Sequence, residues 1–418
     1  MINFKQHLTE SKEGKNVHLE HIEDLVFNEG VTGTRRAILF LRSVRDMLSG
    51  SSSKSVNITT KWDGAPAIFA GVDPEDGKFF VAKKGLFNIN PQMFKSVDDI
   101  KKEGMSSALE SKFVVAFTEF SKLGIKSGVY QGDLMFTSED LSKEKIEGQD
   151  YLTFQPNTIV YAVPMGTPLA KTIRRAKIGI VWHTTYTGKT IQSMKSSFGK
   201  GIVNKMKSVP SVWMDDATYK DVSGTATFTE TETKQLTSIL SQAGKLFQKL
   251  PAAALNDIAG EEEFLIRLKA FNNSKVRAGK TIVSSRAHVN ELVKYFREYY
   301  EKEASKKKSP KGQQDQLEKM KKLMIYFDKH QKDLYTIYDV VILLTKAKEI
   351  VVNKLNQASS LATFLRTSTG FKVTNQEGYV AIDRLEGGAV KLVDRMEFSK
   401  ANFSADVIKG FDLPSRRK

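Results

Sequence analysis

Apolar and polar residues alternate from residue 56 to residue 61, which predicts a β-strand that buries one face. The strand ends at Lys61, and Asp63-Gly64, a common turn pair, follows directly. Residues 67 to 72 and 78 to 82 have the same strand character. The three segments predict an antiparallel meander with Lys61 at the lip of the sheet.

Further segments rich in β-branched and aromatic residues predict more strands. They cover residues 128 to 136, 157 to 163, 177 to 186, 371 to 374, 378 to 382 and 389 to 393. The last two are expected to pair through a loop at Gly387-Gly388. Residues 187 to 235 show little periodicity and predict loops with one further hairpin.

Apolar residues at helical spacing predict helices in residues 17 to 30, 97 to 124 and 232 to 366. The first helix carries polar groups that are potential metal ligands: His18, Glu20, His21, Glu23 and Asp24. Because its apolar stripe is regular, we expect these groups to form a solvated helix face. The long helical region contains a basic run at residues 306 to 308, which predicts an exposed loop that could contact a nucleic-acid backbone.

The composition is that of a globular protein, with 40% hydrophobic and 27% charged residues over 418 residues. No apolar run has the length of a membrane span, and the first residues lack the apolar segment of a signal peptide, so we expect a cytoplasmic protein without membrane association. The absence of cysteine excludes disulfides, thiolate metal sites and cysteine nucleophiles. A formal charge of +16 favours a polyanionic partner, with nucleic acid as the first candidate.

Five short segments occur in an order that resembles the motifs of the covalent nucleotidyltransferases. They are Lys-Trp-Asp-Gly at 61 to 64, Tyr-Gln-Gly-Asp-Leu at 130 to 134, Ile-Val-Tyr-Ala-Val at 159 to 163, Glu-Gly-Tyr-Val-Ala-Ile at 377 to 382 and Val-Lys-Leu-Val at 390 to 393. This superfamily includes the ATP-dependent DNA and RNA ligases and the mRNA capping enzymes. The chain looks closest to the phage-type RNA ligases.

The resemblance implies a role for each matching residue. Lys61 would attack the α-phosphate of ATP to form a lysine-AMP intermediate, and Lys391 would balance charge on that phosphate. Asp133 and Glu377 would hold Mg²⁺ or Mn²⁺, with Asp133 alternatively binding the ribose, and Tyr161 would stack on adenine. The remaining nucleotide-binding candidates are Thr60, Asp63, Gly64, Lys84 and Gly378.

The chain also departs from the family pattern. Pro66 occupies a position where many members have arginine, and Asp133 replaces a glutamate. Too few residues follow Lys391 for the C-terminal barrel of DNA ligases and capping enzymes, so RNA ends are favoured over DNA ends. Two alternatives stay open: another nucleotidyl transfer, such as guanylylation, and a basic nucleic-acid-binding protein without catalysis.

The predicted fold class is therefore α+β, with an antiparallel-sheet nucleotidyltransferase core, ATP-grasp-like, and a large α-helical insertion. The oligomeric state is left open. The predicted division is an N-terminal helical segment (1 to 55), the first part of the core (56 to 190), loops and a hairpin (191 to 231), the helical insertion (232 to 366) and the returning core strands (371 to 411).

Overall fold

The computed structural model describes residues 20–50, 56–198, 201–217, 227–357, 362–383, 389–404 and 406–413. His18 and the predicted Gly387-Gly388 loop lie outside these residues. The described chain is α+β, with three mainly antiparallel sheets and a large helical region.

The helices are α1 (Leu25–Leu48), α2 (Val97–Lys102), α3 (Ser107–Phe120), α4 (Pro168–Arg175), α5 (Glu230–Lys249), α6 (Ala252–Gly260), α7 (Glu262–Arg277), α8 (Ser285–Ser305), α9 (Pro310–Asn356) and α10 (Arg395–Phe403). A short 3₁₀ helix, Ile22–Asp24, leads into α1. Helices α2 and α3 confirm the prediction for residues 97 to 124. Helices α8 and α9 flank the basic run, which lies in the connection between them.

The strands are β1 (Val56–Lys61), β2 (Ala67–Val72), β3 (Phe79–Ala82), β4 (Val129–Thr137), β5 (Ser142–Ile146), β6 (Gln149–Phe154), β7 (Ile159–Pro164), β8 (Ile178–Thr187), β9 (Lys195–Phe198), β10 (Val212–Asp216), β11 (Ala362–Thr367), β12 (Gly370–Val373), β13 (Gly378–Asp383) and β14 (Ala389–Leu392).

The central sheet has the order β10-β8-β4-β2-β3, and β9 pairs with β8. The further hairpin expected within residues 187 to 235 is therefore formed with β8, which mostly precedes that range. Its strands pair antiparallel except β8 and β10. A second sheet has the order β12-β11-β7-β6-β5. Strand β11 lies within the range predicted to be helical, so the helices end before it, at Asn356.

The third sheet is small and corrects the predicted meander. Strands β2 and β3 form a hairpin, but β1 pairs with β13, which pairs in turn with β14. The residues between β1 and β2 bond to β4: the Ala65 N–H donates to the Leu134 carbonyl at 3.0 Å, and the Leu134 N–H donates to the Pro66 carbonyl at 3.0 Å. The chain therefore passes from the small sheet into the central sheet at these residues, where a tight turn was expected.

The largest apolar core joins this small sheet to the helical region. Ile58, Tyr379, Ala381, Val390 and Leu392 belong to the same buried cluster as the apolar faces of α1 and of α5 to α9. Helix α1 therefore shares a core with helices that begin about 180 residues later in the chain. One face of the small sheet is consequently fixed against helices.

The predicted solvated face at residues 17 to 30 is wrong for two of its acidic residues. Glu23 is 2% exposed and its carboxylate accepts from the Lys348 ammonium at 2.6 Å. Asp24 accepts two hydrogen bonds from Arg395, at 2.9 and 2.7 Å. A buried carboxylate needs such partners, and they come from α9 and α10, too far along the chain for a local pattern to indicate. Within the described residues, no group of three potential metal ligands is found.

None of the described helices combines the length and the apolar character that crossing a membrane requires.

Candidate functional site

The register of the small sheet places two lysines on one face. Lys61 lies opposite Gly378 of β13, and Lys391 of β14 lies opposite Val380 of the same strand. Residues two apart in a strand share a face, so both lysines lie on the face of β13 that includes Gly378 and Val380. The other face, with Tyr379, packs on the helices.

Glu377, directly before β13, forms an ion pair with the Lys61 ammonium. Its side chain is only 9% exposed. Burial raises the pKa of Glu377 to about 7, while the Lys61 charge opposes this rise and the negative charges of Asp63 and Asp133 add to it. The carboxyl group can therefore both accept and release a proton near neutral pH.

Lys391 lies at the junction of the sheet and the segment before α1. Its backbone N–H donates to the Glu20 carbonyl at 2.9 Å, and it forms a parallel bridge with His21. Burial, followed by the positive charge of Lys61, lowers the pKa of Lys391. The charge of Glu377 acts in the opposite direction, so all three groups are close enough for their charges to interact.

Asp133 reaches the same region from the central sheet. It lies in β4 between Ala67 of β2 and Val181 of β8. Its side chain is 27% exposed, and its Oδ2 is 3.7 Å from Nε2 of His183. The other ring nitrogen of His183 is hydrogen-bonded to the Thr184 hydroxyl at 2.7 Å.

Gly64 allows the Lys61 segment to approach Asp133 closely. A Cβ at residue 64 would lie 2.5 Å from the Asp133 Cβ and 3.1 Å from the Met135 Sδ. Only glycine fits this space. The close approach brings the end of β1 against the central sheet.

Asp63 and Tyr161 form a network behind Lys61. The Asp63 carboxylate accepts the N–H groups of Thr158 and Ile159, at 2.7 and 2.8 Å, and the side-chain amide of Asn157 at 2.8 Å. The Asp63 N–H donates to the Tyr161 hydroxyl at 2.7 Å. With its acceptors used in this way, Asp63 fixes the chain after Lys61 to the start of β7.

The Tyr161 ring is 1% exposed and lies in an aromatic cluster. It stacks on Phe154 at a centroid distance of 5.4 Å and contacts Trp62 at 5.2 Å. Burial raises its pKa well above the usual value for tyrosine. Stacking on adenine would require these neighbours to move.

The structure does not place the side chains of three other nucleotide-binding candidates on the sheet face that carries Lys61 and Lys391. Thr60 pairs with Tyr379, so strand alternation places it on the face opposite to Lys61. Lys84 is exposed and lines a polar cavity formed by residues 83 to 92. A Cβ at Gly378 would lie 2.6 Å from the Val393 Cγ2, so that this glycine permits the packing of β13 on the chain after β14.

The sequence did not indicate three residues that the structure places at this site. His183 lies beside Asp133, while Lys269 and Arg395 line a cavity with Lys391. Lys269 comes from α7 and Arg395 from the start of α10, and neither belongs to a local motif. Only the tertiary fold brings them to Lys391.

Comparison with curated proteins gave no match, and comparison with solved structures gave none either. The model of one family, described as "Family of unknown function (DUF6267)", matches residues 16–407. The match includes every predicted site residue from Thr60 to Lys391. Because it extends over most of the sequence, the chain belongs to this family, DUF6267.

Proposed function

We propose that this protein is a covalent nucleotidyltransferase, and specifically an ATP-dependent polynucleotide ligase that prefers RNA ends to DNA ends. The observation that carries the proposal is the convergence of Lys61, Glu377 and Lys391 on one small sheet. Lys61 and Glu377 are more than 300 residues apart in sequence, and the fold brings their side chains into contact beside a second lysine. The order of the five sequence motifs supports the same conclusion.

Lys61 is the proposed nucleophile. Its Nζ would attack the α-phosphorus of ATP, forming a nitrogen–phosphorus bond as the bond to the bridging oxygen breaks and pyrophosphate leaves. The amine must first lose a proton. Glu377 contacts the ammonium and its pKa near 7 suits a group that accepts a proton at neutral pH.

Lys391 is proposed to balance the charge of the α-phosphate. It lies on the same face as Lys61, and its partial burial strengthens its interaction with an anion because less water screens it. In the later steps, AMP would pass from Lys61 to a 5′-phosphate, and a 3′-hydroxyl would then displace it to seal the strand. The charge of +16 suits a polynucleotide acceptor.

Asp133 would hold Mg²⁺ or Mn²⁺, and Glu377 would join it whenever its carboxyl group is ionised and does not carry the proton taken from Lys61. Two carboxylates fit a magnesium ion that takes its remaining ligands from phosphate oxygens and water, which is the usual arrangement in phosphoryl-transfer sites. The ion would neutralise charge on the phosphates. The negative charge of Asp133 raises the pKa of Glu377, so the two carboxyl groups interact without any ion.

The first experiment is incubation with α-labelled ATP and Mg²⁺, followed by denaturing electrophoresis. The protein is first treated with pyrophosphate to remove any AMP already attached. We expect a labelled band that disappears in Lys61→Ala and Lys61→Arg. Lys78→Ala is the matched control, because Lys78 lies in the connection between β2 and β3 with a side chain 70% exposed, and it should keep full labelling.

Parallel reactions with labelled GTP and a chase with acceptors complete the test. Release of label on addition of 5′-phosphorylated RNA or nicked DNA would identify the acceptor. Labelling by GTP alone would replace ligation by guanylyl transfer. If neither nucleotide labels the folded protein, covalent nucleotidyl transfer is wrong, and a nucleic-acid-binding protein without catalysis becomes the better hypothesis.

A further inference from the structure

An open cavity of about 320 Å³ lies beside Lys391. Its walls come from the segment before α1, from α7, from the end of the small sheet and from the start of α10. Three cationic side chains line it: Lys269, Lys391 and Arg395. The cavity is therefore contiguous with the proposed catalytic face but is built in part by the helical region.

Two carboxylates also line the cavity, and both have cationic partners. Asp24 is held by two Arg395 hydrogen bonds, at 2.9 and 2.7 Å. Glu20 lies 3.8 Å from the Lys269 ammonium. Arginine has five N–H donors and Asp24 accepts from two nitrogens, so Arg395 keeps donors for a further anion. With three cations and two acids, the wall carries a net positive charge.

Neutral hydrogen-bond donors complete the wall. The buried Asn272 uses its Oδ1 to accept from Nε2 of His288, at 2.8 Å, and from the Tyr338 hydroxyl, at 3.1 Å. These two bonds fix the amide and turn its Nδ2 donors away from His288 and Tyr338. Asn273, on the same helix, accepts from Arg395 at 3.5 Å.

His21 supplies a second kind of evidence for a ligand. Its Nδ1 is buried and, among the described residues, has no hydrogen-bond partner. Burial lowers the pKa of His21 well below the usual value, so the ring is neutral and one ring nitrogen carries a proton. A buried polar atom without a partner is costly. A small movement of the ring towards the cavity that it lines, in the tautomer that protonates Nδ1, would give this atom an anion as acceptor.

We propose that this cavity binds the phosphate group that reacts with, or leaves from, the nucleotide at Lys61. The ligand would be an anionic phosphate group held by the charges of Lys269, Lys391 and Arg395. His21 and Asn272 would add neutral hydrogen-bond donors. The source of the phosphate is either the pyrophosphate leaving group or the terminal 5′-phosphate of the acceptor strand. In naming these sources the inference rests on the function proposed above.

The test measures binding without turnover, in the absence of ATP and metal. The probes are inorganic pyrophosphate, followed by calorimetry, and a 3′-fluorescein oligoribonucleotide with either a 5′-phosphate or a 5′-hydroxyl, followed by anisotropy. The variants are Lys269→Gln, which removes one cation from a partly exposed position, and Asn273→Asp, which adds a negative charge without changing size. Lys294→Gln on α8 is the control, because its side chain is 76% exposed.

We expect both cavity variants to lower the affinity for one of the two probes by about tenfold, which is the usual effect of losing one charge-assisted contact. Weaker pyrophosphate binding would identify the leaving group, and loss of the preference for 5′-phosphate over 5′-hydroxyl would identify the acceptor. If both variants match Lys294→Gln on every probe, the cavity is not a phosphate site.

The two proposals fail in different ways. If the natural protein is not labelled at Lys61 but both cavity variants weaken probe binding, the cavity is a phosphate site in a protein without nucleotidyl transfer. Normal labelling with unchanged binding in both cavity variants would leave the transferase and remove the subsite.

Discussion

Glu377 shows how one buried carboxyl group joins stability and proposed chemistry. Its 9% exposure opposes ionisation, while the Lys61 ammonium beside it favours ionisation. The pKa of about 7 results from burial first, with Lys61 opposing the rise and the charges of Asp63 and Asp133 adding to it. The group can therefore exchange a proton with Lys61 near neutral pH. Its ionisation in this buried position lowers the free energy of unfolding.

The pH dependence of the free energy of unfolding should show this loss of stability. The pKa of Glu377 in the folded state, about 7, lies above its ordinary value of 4.5, so the folded protein binds this proton more tightly than the unfolded chain. The group's favourable contribution is complete below pH 4.5 and is lost as the pH rises towards 7. In Glu377→Gln this loss is absent, so the stability of the variant relative to the natural protein should rise between pH 4.5 and 7, by at most ~3 kcal/mol.

Urea unfolding of both proteins at pH 5 and pH 8 measures that difference. Since other titrating groups are common to both proteins, they cancel. A stability difference that is the same at the two pH values would show that Glu377 does not have a raised pKa.

Residues of one local motif have different roles, and only some of these could be predicted. Lys61 and Glu377 were proposed as site residues from the order of the sequence motifs, and the structure places their side chains in contact. Asp63 was expected at the nucleotide but binds the N–H groups of Thr158 and Ile159. Its partners are almost 100 residues away, so nothing in the sequence around Asp63 indicates them.

At the scale of elements, the partner of β1 was the main error. The hairpin of β2 and β3 followed from adjacent segments, and β13 and β14 were expected to pair and do so. Strand β1 had an apparent turn after it, yet it pairs with β13, and Ala65 and Pro66, which follow it, bond to β4. Pairing between distant strands depends on how sheets pack, which alternation alone does not encode.

Gly378 provides a test of this packing. Its φ of +148° and the 2.6 Å distance from a Cβ at residue 378 to the Val393 Cγ2 predict strain and a clash in Gly378→Ala. We expect a loss of about 3–5 kcal/mol in the free energy of unfolding. Gly370→Ala is the matched control, since φ is +131° but no atom lies within 4 Å, and it should lose only about 1–2 kcal/mol. Equal losses in chemical denaturation would mean that the contact with Val393 is unimportant.

The buried pair of Glu23 and Lys348 joins the segment before α1 to α9. Their side chains are 3% and 1% exposed, and Arg395 lies 3.6 Å from the same carboxylate. Lys348→Met removes one partner and leaves a buried charge, which should cost about 3–5 kcal/mol. The double variant Glu23→Gln with Lys348→Met should regain part of that loss in thermal or urea unfolding. If the double variant is no more stable than the single one, the cost arises from packing around residue 348.

At the scale of the whole molecule, the positive charge proposed to bind the polynucleotide should be separable from the proposed reaction of Lys61 with ATP. The basic loop of residues 306 to 308 connects α8 and α9, and Lys306 pairs with Glu303 at 2.6 Å. Replacing all three lysines by glutamine should weaken polynucleotide binding and reduce the slope of log affinity against log salt by up to about 2. Labelling of Lys61 by ATP should stay unchanged. Anisotropy titrations at several salt concentrations measure the slope, and an unchanged slope would place the nucleic acid elsewhere.

The pairing of β1 with β13 also determines when the protein can act during its synthesis. Lys61 leaves the ribosome long before Gly378 and Lys391, its neighbours in the sheet. At about 5–20 residues per second, translation separates them by roughly 15–60 seconds. During that interval the nascent chain has the proposed nucleophile but neither Glu377 to deprotonate it nor Lys391 to balance a phosphate. Nucleotidyl transfer should therefore begin only after the last strand has been made, and fragments that end before residue 378 should not be labelled by ATP.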